Sequence, residues 1–158
     1  MNLPFDTAAE QSLIGACLLG AELPLISPED FWNSASRRAW ESIVALDARS
    51  EPVDVVTVAA ESKIDRLELL DMQTSCTGPQ SAPFYANIVA DLACRRRLIQ
   101  AAQTITTAAL EGDADLREKA EHLVLKATAS RQAAEAIDLS SILAEVIENL
   151  ESTQQGVT

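Results

Sequence analysis

The sequence predicts an all-α protein: a small globular helical bundle, a projecting helical hairpin and a C-terminal linker helix. Three observations carry this reading. Apolar residues recur at three- and four-residue spacing between turn signals, capping residues stand just ahead of those runs, and helix breakers are scarce, with five glycines and six prolines in 158 residues. The pattern divides the chain into a globular part over residues 1–80, a hairpin over 81–131, and a linker with an amphipathic docking helix over 132–158.

Thr7 and Glu10 have the T-x-x-E spacing of a capping box, so the first helix is expected from Thr7 to about Leu19, with Leu13, Ile14, Cys17 and Leu18 facing inward. Ser27, Pro28, Glu29 and Asp30 read as a cap, a proline at the first helical position and acids on the positive end of the helix dipole. This turn is expected to deliver Phe31 and Trp32 to the core. Next, Ala39, Trp40, Ile43, Val44 and Leu46 fall on one side of a helix and Arg37, Arg38, Glu41 and Arg49 on the other, ending before Pro52. Asp54 caps a helix from Val55 to about Lys63; its valines favour a strand by propensity, but Ala59, Ala60 and Glu61 continue the segment as helix. A short helix passes through Leu67, Leu69, Leu70 and Met72, and Thr74 to Pro83 reads as loop.

The longest periodic segment runs from about Ala82 to Glu111. At 1.5 Å per residue it would extend about 45 Å, more than a small core can cover. Gly112 and Asp113 end it, and Leu116, Ala120, Leu123, Val124 and Ala127 mark a return helix. A hairpin of that length is a candidate for self-association, through Tyr85, Ile88, Val89, Leu92, Arg96, Ile99, Leu116, Leu123 and Val124. On a helical wheel Arg96 falls near the Leu92 and Ile99 stripe and is expected to pair with a carboxylate across an interface, while Arg97 points away. Beyond a short linker, Leu139, Ile142, Leu143, Val146, Ile147 and Leu150 share one stripe with glutamates turned from it. Burying six such side chains would give roughly 10 kcal/mol before ordering entropy is subtracted, so this helix is expected to dock on another surface.

The formal net charge is −12, but its distribution says more. Residues 1–71 hold 13 acids and 5 bases, residues 72–131 hold 6 and 7, and residues 132–158 hold 5 and none. Only Arg95, Arg96 and Arg97 approach a basic stripe, so direct DNA binding is not expected, and the acidic ends suit basic protein partners. Cys17, Cys76 and Cys94 are an odd set without CxxC spacing, which fits free thiols in a reducing, cytoplasmic setting and no zinc site. A single histidine, His122, cannot supply a di-metal bundle or a catalytic constellation, and Asp30 and Asp54 read as first-turn and cap carboxylates. None of the five glycines belongs to a GxxxxGK[ST] phosphate cradle. No catalytic, cofactor-binding or metal-ligating residue is therefore expected.

Five landmarks stand in order: Glu10-Gln11-Ser12-Leu13-Ile14-Gly15 followed by Leu18-Leu19; Pro28-Glu29-Asp30-Phe31-Trp32; Pro52-Val53-Asp54-Val55-Val56-Thr57-Val58; Tyr85-Ala86-Asn87-Ile88-Val89; and Arg96-Arg97-Leu98-Ile99. Together with the long hairpin and final amphipathic helix, they resemble the N-terminal domain of bacterial replicative helicases of the DnaB type across nearly the whole chain. The resemblance implies hairpins that pair into a collar, a trimer of dimers above a hexameric ATPase ring, with contacts to primase and, in many systems, a helicase loader. It implies that the last helix packs on the ATPase domain of a neighbouring subunit, and that Gln154 to Thr158 mark the entry to the ATPase domain. ATP and Mg would belong to that domain and not to this chain. The segment Asp65 to Gly78 departs from the family by lacking its Gly-Gly and Tyr-Leu pattern. Two rival readings are a free-standing regulator of a helicase ring with the same fold, and an unrelated acidic helical adaptor.

Overall fold

The computed structural model describes residues 2–129, and in them six α-helices and two 3₁₀ turns make up the regular structure. In chain order these are α1 (Thr7–Leu18), a 3₁₀ turn (Pro28–Asp30), α2 (Ser34–Ala48), α3 (Val55–Ser62), α4 (Arg66–Ser75), a second 3₁₀ turn (Pro79–Ser81), α5 (Ala82–Glu111) and α6 (Leu116–Thr128). The fold is all-helical, as the periodicity requires. The stripe Leu139, Ile142, Leu143, Val146, Ile147 and Leu150 lies outside the described residues.

α1 is the central element of the head, as residues 2–81 are called from here, and packs against α2, α4 and α5. It starts where expected but is capped differently. Asp6 is the N-cap, its Oδ1 accepting the Ala9 N–H at 2.9 Å, and this short carboxylate next to the helix start takes the place expected of Thr7. Glu10 is thereby released from the capping box and turns into the protein. From Ala9 to Leu18 every residue but Gln11 is buried. The approach of α4 is closest at Gly15: a Cβ there would lie 2.1 Å from the Met72 carbonyl oxygen, so only glycine admits the contact.

The next three helices are capped by side chains that the sequence places just ahead of them. Asn33 Oδ1 accepts from the N–H groups of Ala35 and Ser36, Asp54 Oδ1 from Val56 and Thr57, and Asp65 Oδ1 from Leu67. α2 buries Ala39, Trp40, Ile43 and Leu46, while α4 buries only Leu69 and Met72. The expected loop Thr74 to Pro83 is shorter than its composition indicates. α4 continues to Ser75, and Pro83 sits in the first turn of α5, where a missing N–H breaks no helical hydrogen bond.

The core gathers Leu13, Ile14, Ile26, Phe31, Trp40, Ile43, Val58, Leu69 and Met72, and Ala82, Ala86 and Val89 of α5 belong to the same cluster. Trp32 is a correction to the sequence reading: Phe31 is fully buried, but Trp32 is 45% exposed. Extended backbone at Phe31 turns successive side chains to opposite sides, so one ring enters the core and the next lies on the surface. Past Val89, α5 runs on for more than twenty residues to Gly112, whose φ of 73° makes the left-handed cap that lets the chain turn back into α6.

Candidate functional site

Two features meet at the junction of head and hairpin: a buried polar node and, around and beyond it, apolar side chains exposed among the described residues. The node starts with Glu10, a buried carboxylate on α1. Its Oε1 accepts the Trp32 N–H at 2.6 Å and its Oε2 the Asn33 N–H at 2.9 Å, so one side chain fixes the chain just before α2. Burial pushes its carboxyl above the ordinary range, against the opposing pull of those two amides and of Arg96 and Arg37.

Arg96, also buried, donates from Nη1 to the Pro4 carbonyl at 2.9 Å and from Nη2 to the Asp30 carbonyl at 2.6 Å. Its guanidinium carbon lies 5.6 Å from the centre of the Trp32 ring, and Phe5 stacks on Trp32 at 5.5 Å. Burial lowers the Arg96 pKa, with Glu10 and Asp30 opposing the shift. Arg97 donates from Nη1 to Asp30 Oδ1 and from Nε to the Ala127 carbonyl at 3.1 Å. The expectation for this pair is therefore corrected. Arg96 faces into its own chain and is satisfied there by backbone carbonyls, and it is Arg97 that meets a carboxylate, within the same chain. The wheel ranked both against the hairpin's own stripe and could not show that the head closes over α5 at this level.

The other self-association candidates divide by place. Val89 is buried in the core of its own head. Tyr85, Ile88, Leu92, Ile99, Leu116 and Leu123 are half-buried, and Val124 is exposed. Phe84, Ile88 and Leu92, four residues apart in turn, share a face of α5 and line an open groove with Phe5, Asp6, Asn87, Asp91 and Arg95. Sequence reasoning missed Phe84 (64% exposed), Leu125 (57%) and Leu110 (85%), as well as Leu98. Phe84 and Leu110 extend the α5 stripe beyond the two ends at which it was read, whereas Leu98 and Leu125 lie off the stripes of α5 and α6. All four exposed or half-exposed aromatic residues, Phe5, Trp32, Phe84 and Tyr85, lie at this junction.

The geometry of the described residues at this junction is that of a surface with a polar node beneath it. Among the described residues no three His, Cys, Asp or Glu side chains are grouped to hold a metal ion. His122 is exposed on α6, and burial pushes the Cys17 thiol up to about 12. No helix among the described residues is long and apolar enough to cross a membrane.

Residues 2–91 match the family described as DnaB-like helicase N terminal domain. Among curated relatives, the chain is 29% identical to the replicative DNA helicase DnaC of Bacillus subtilis over 94% of its own length, and 36% identical to the replicative DNA helicase DnaB of Mycobacterium leprae over 62%. It spans 36% of the Bacillus subtilis protein and 18% of the Mycobacterium leprae one, so about a third of such relatives or less. The crystal structure of the N-terminal domain of DnaB helicase from Mycobacterium tuberculosis is similar, with a TM-score of 0.74 at 30% identity, 78% of this chain covering 99% of that one. Sequence match and fold agree over the head and the base of α5, where Glu10, Gly15 and Asp54 do their structural work, and the chain belongs to the DnaB-like helicase N-terminal domain family.

Proposed function

We propose that this chain is the assembly and partner-binding domain of a hexameric replicative DNA helicase acting in DNA replication. Its hairpin pairs with that of a second copy, and three such pairs form a collar. The collar offers docking surface to primase or to a helicase loader. The segment with Leu139, Ile142 and Leu143 reaches the ATPase domain of a neighbouring subunit. ATP and Mg serve that domain, and this chain contributes no catalytic residue, no cofactor ligand and no direct DNA contact.

The observation that supports pairing is the apolar surface left open on the hairpin, above all Phe84, Leu110 and Leu125, together with the half-buried row through Ile88, Leu92 and Ile99. Large apolar side chains grouped on one projecting element mark a surface that another polypeptide covers. Charge agrees with this use: Arg95 is paired with Asp91 on its own helix at 2.8 Å and gives no basic stripe for phosphate.

Size-exclusion chromatography with light scattering tests the reading. The chain should elute as a multiple of its 17.0 kDa mass. Leu92→Asp should return a monomer with an unchanged helical circular dichroism spectrum. A wild-type chain that stays monomeric at high micromolar concentration would exclude hairpin pairing.

A further inference from the structure

We propose that Arg97 is a latch between the end of the hairpin and the head, a single guanidinium that sets how α6 lies against the 3₁₀ turn Pro28–Asp30. The last carbonyls of a helix have no partner within it, and at the end of α6 two side chains from α5 meet that need. The buried Ala127 offers its carbonyl to Arg97 Nε at 3.1 Å and to the Cys94 thiol at 3.5 Å. A cation at this position also complements the negative end of the helix dipole.

The same guanidinium reaches the other way to Asp30 Oδ1. Asp30 is fixed in turn, its Oδ2 accepting the Ser27 N–H at 3.1 Å. One continuous line of bonds therefore runs from Ser27 through Asp30 and Arg97 to the end of α6. A lysine could not replace it, because an ammonium is a point donor, whereas the planar fork of arginine presents Nε–H and Nη–H in two fixed directions.

The latch differs from the node beside it in exposure. Asp30 has a side-chain exposure of 10%, but Arg97 keeps 35%, so an acidic group or salt from outside can compete for it. Arg96 holds the Pro4 and Asp30 carbonyls without help from Arg97, and Ala82, Ala86 and Val89 remain in the core. Opening the latch should free the end of α6 while leaving the head and the base of α5 folded.

Hydrogen exchange with mass spectrometry on the full chain tests this, comparing wild type, Arg97→Lys, Asp30→Asn and the control Arg95→Lys, all at one protein concentration. In both latch variants the amides of residues 123–129 should exchange at least tenfold faster, with residues 13–18 and 40–46 unchanged, and the control should match wild type. Unchanged exchange over 123–129 would overturn the proposal, as would loosening of the head together with α6. A response to Arg97→Lys without one to Asp30→Asn would also overturn it, since Arg97 would then cap α6 without tying it to the head.

Discussion

The head and the hairpin are built from the same helical grammar but differ in what they bury. In the head, Trp40, Phe31, Leu13, Ile14, Ile43, Leu69 and Met72 are fully enclosed and belong to one continuous cluster. In the hairpin beyond Val89, the buried residues are Ala93, Arg96 and Ala101 of α5 and Ala127 of α6: three small side chains and a cation. The large apolar side chains there face outward or lie half-covered. Burial of a large aliphatic or aromatic side chain is worth about 1.5–3 kcal/mol, so the head carries its own stability while much of the hairpin's apolar surface contributes only when covered. On the function proposed above, that surface is what a second copy covers.

Substitutions that separate the regions should follow this division. The largest effect is expected in the head: Trp40→Ala should cost about 3–5 kcal/mol in chemical denaturation, from lost burial and the cavity left behind. A loss below about 1 kcal/mol would mean that the core is looser than described. Gly15→Ala should come next, at about 1–3 kcal/mol or more, because the added methyl meets the Met72 backbone and not a yielding side chain. The sign is informative, since helix propensity alone would favour alanine by about 1 kcal/mol.

Glu10→Gln should cost about 2 kcal/mol, as a carboxamide presents an N–H₂ to one of the two amide donors that the carboxylate satisfies. Its pH dependence carries a further check. Because the folded-state pKa lies above the ordinary value of 4.5, the native state holds this proton more tightly, and the group's contribution to stability falls as pH rises through that window. The Gln variant should lack this component of the pH profile, measured by denaturation across pH 4–7.

Asp54→Ala should cost about 1 kcal/mol at neutral pH, the usual value of an N-cap. The sign with pH is opposite. Hydrogen bonds from the Thr57 and Val56 amides hold this carboxyl below its ordinary 3.8, so its contribution is complete above that value and disappears as pH falls through the folded-state pKa. The difference between wild type and variant should therefore vanish in acid. The smallest effect is expected in the hairpin, where Leu110→Ser should change the stability of the monomer by less than about 0.5 kcal/mol.

Most of the fold was legible because local signals and the core agree. Asp54 and the alanines after it marked α3 in spite of three valines, and Ala82 to Glu111 were readable as one helix from periodicity and Gly112 alone. The polar node was not legible. Thr7 and Glu10 fit a capping box, and nothing local says that Asp6 takes that role so that Glu10 can reach Trp32 and Asn33, more than twenty residues on. Arg96 and Arg97 were placed on the correct helix but given each other's chemistry, since their partners Pro4, Asp30 and Ala127 come from parts of the chain that no helical wheel contains. The apolar face of the hairpin was read in outline, and its exposed members at Phe84, Leu110 and Leu125 required the structure.

Hydrogen exchange of the wild-type chain across a hundredfold range of protein concentration tests the division most directly. Protection over residues 91–111 and 116–128 should rise with concentration while residues 9–18 and 39–46 keep the same protection throughout. Equal, concentration-independent protection in both regions would contradict the account, because the hairpin would then need no second polypeptide to cover it.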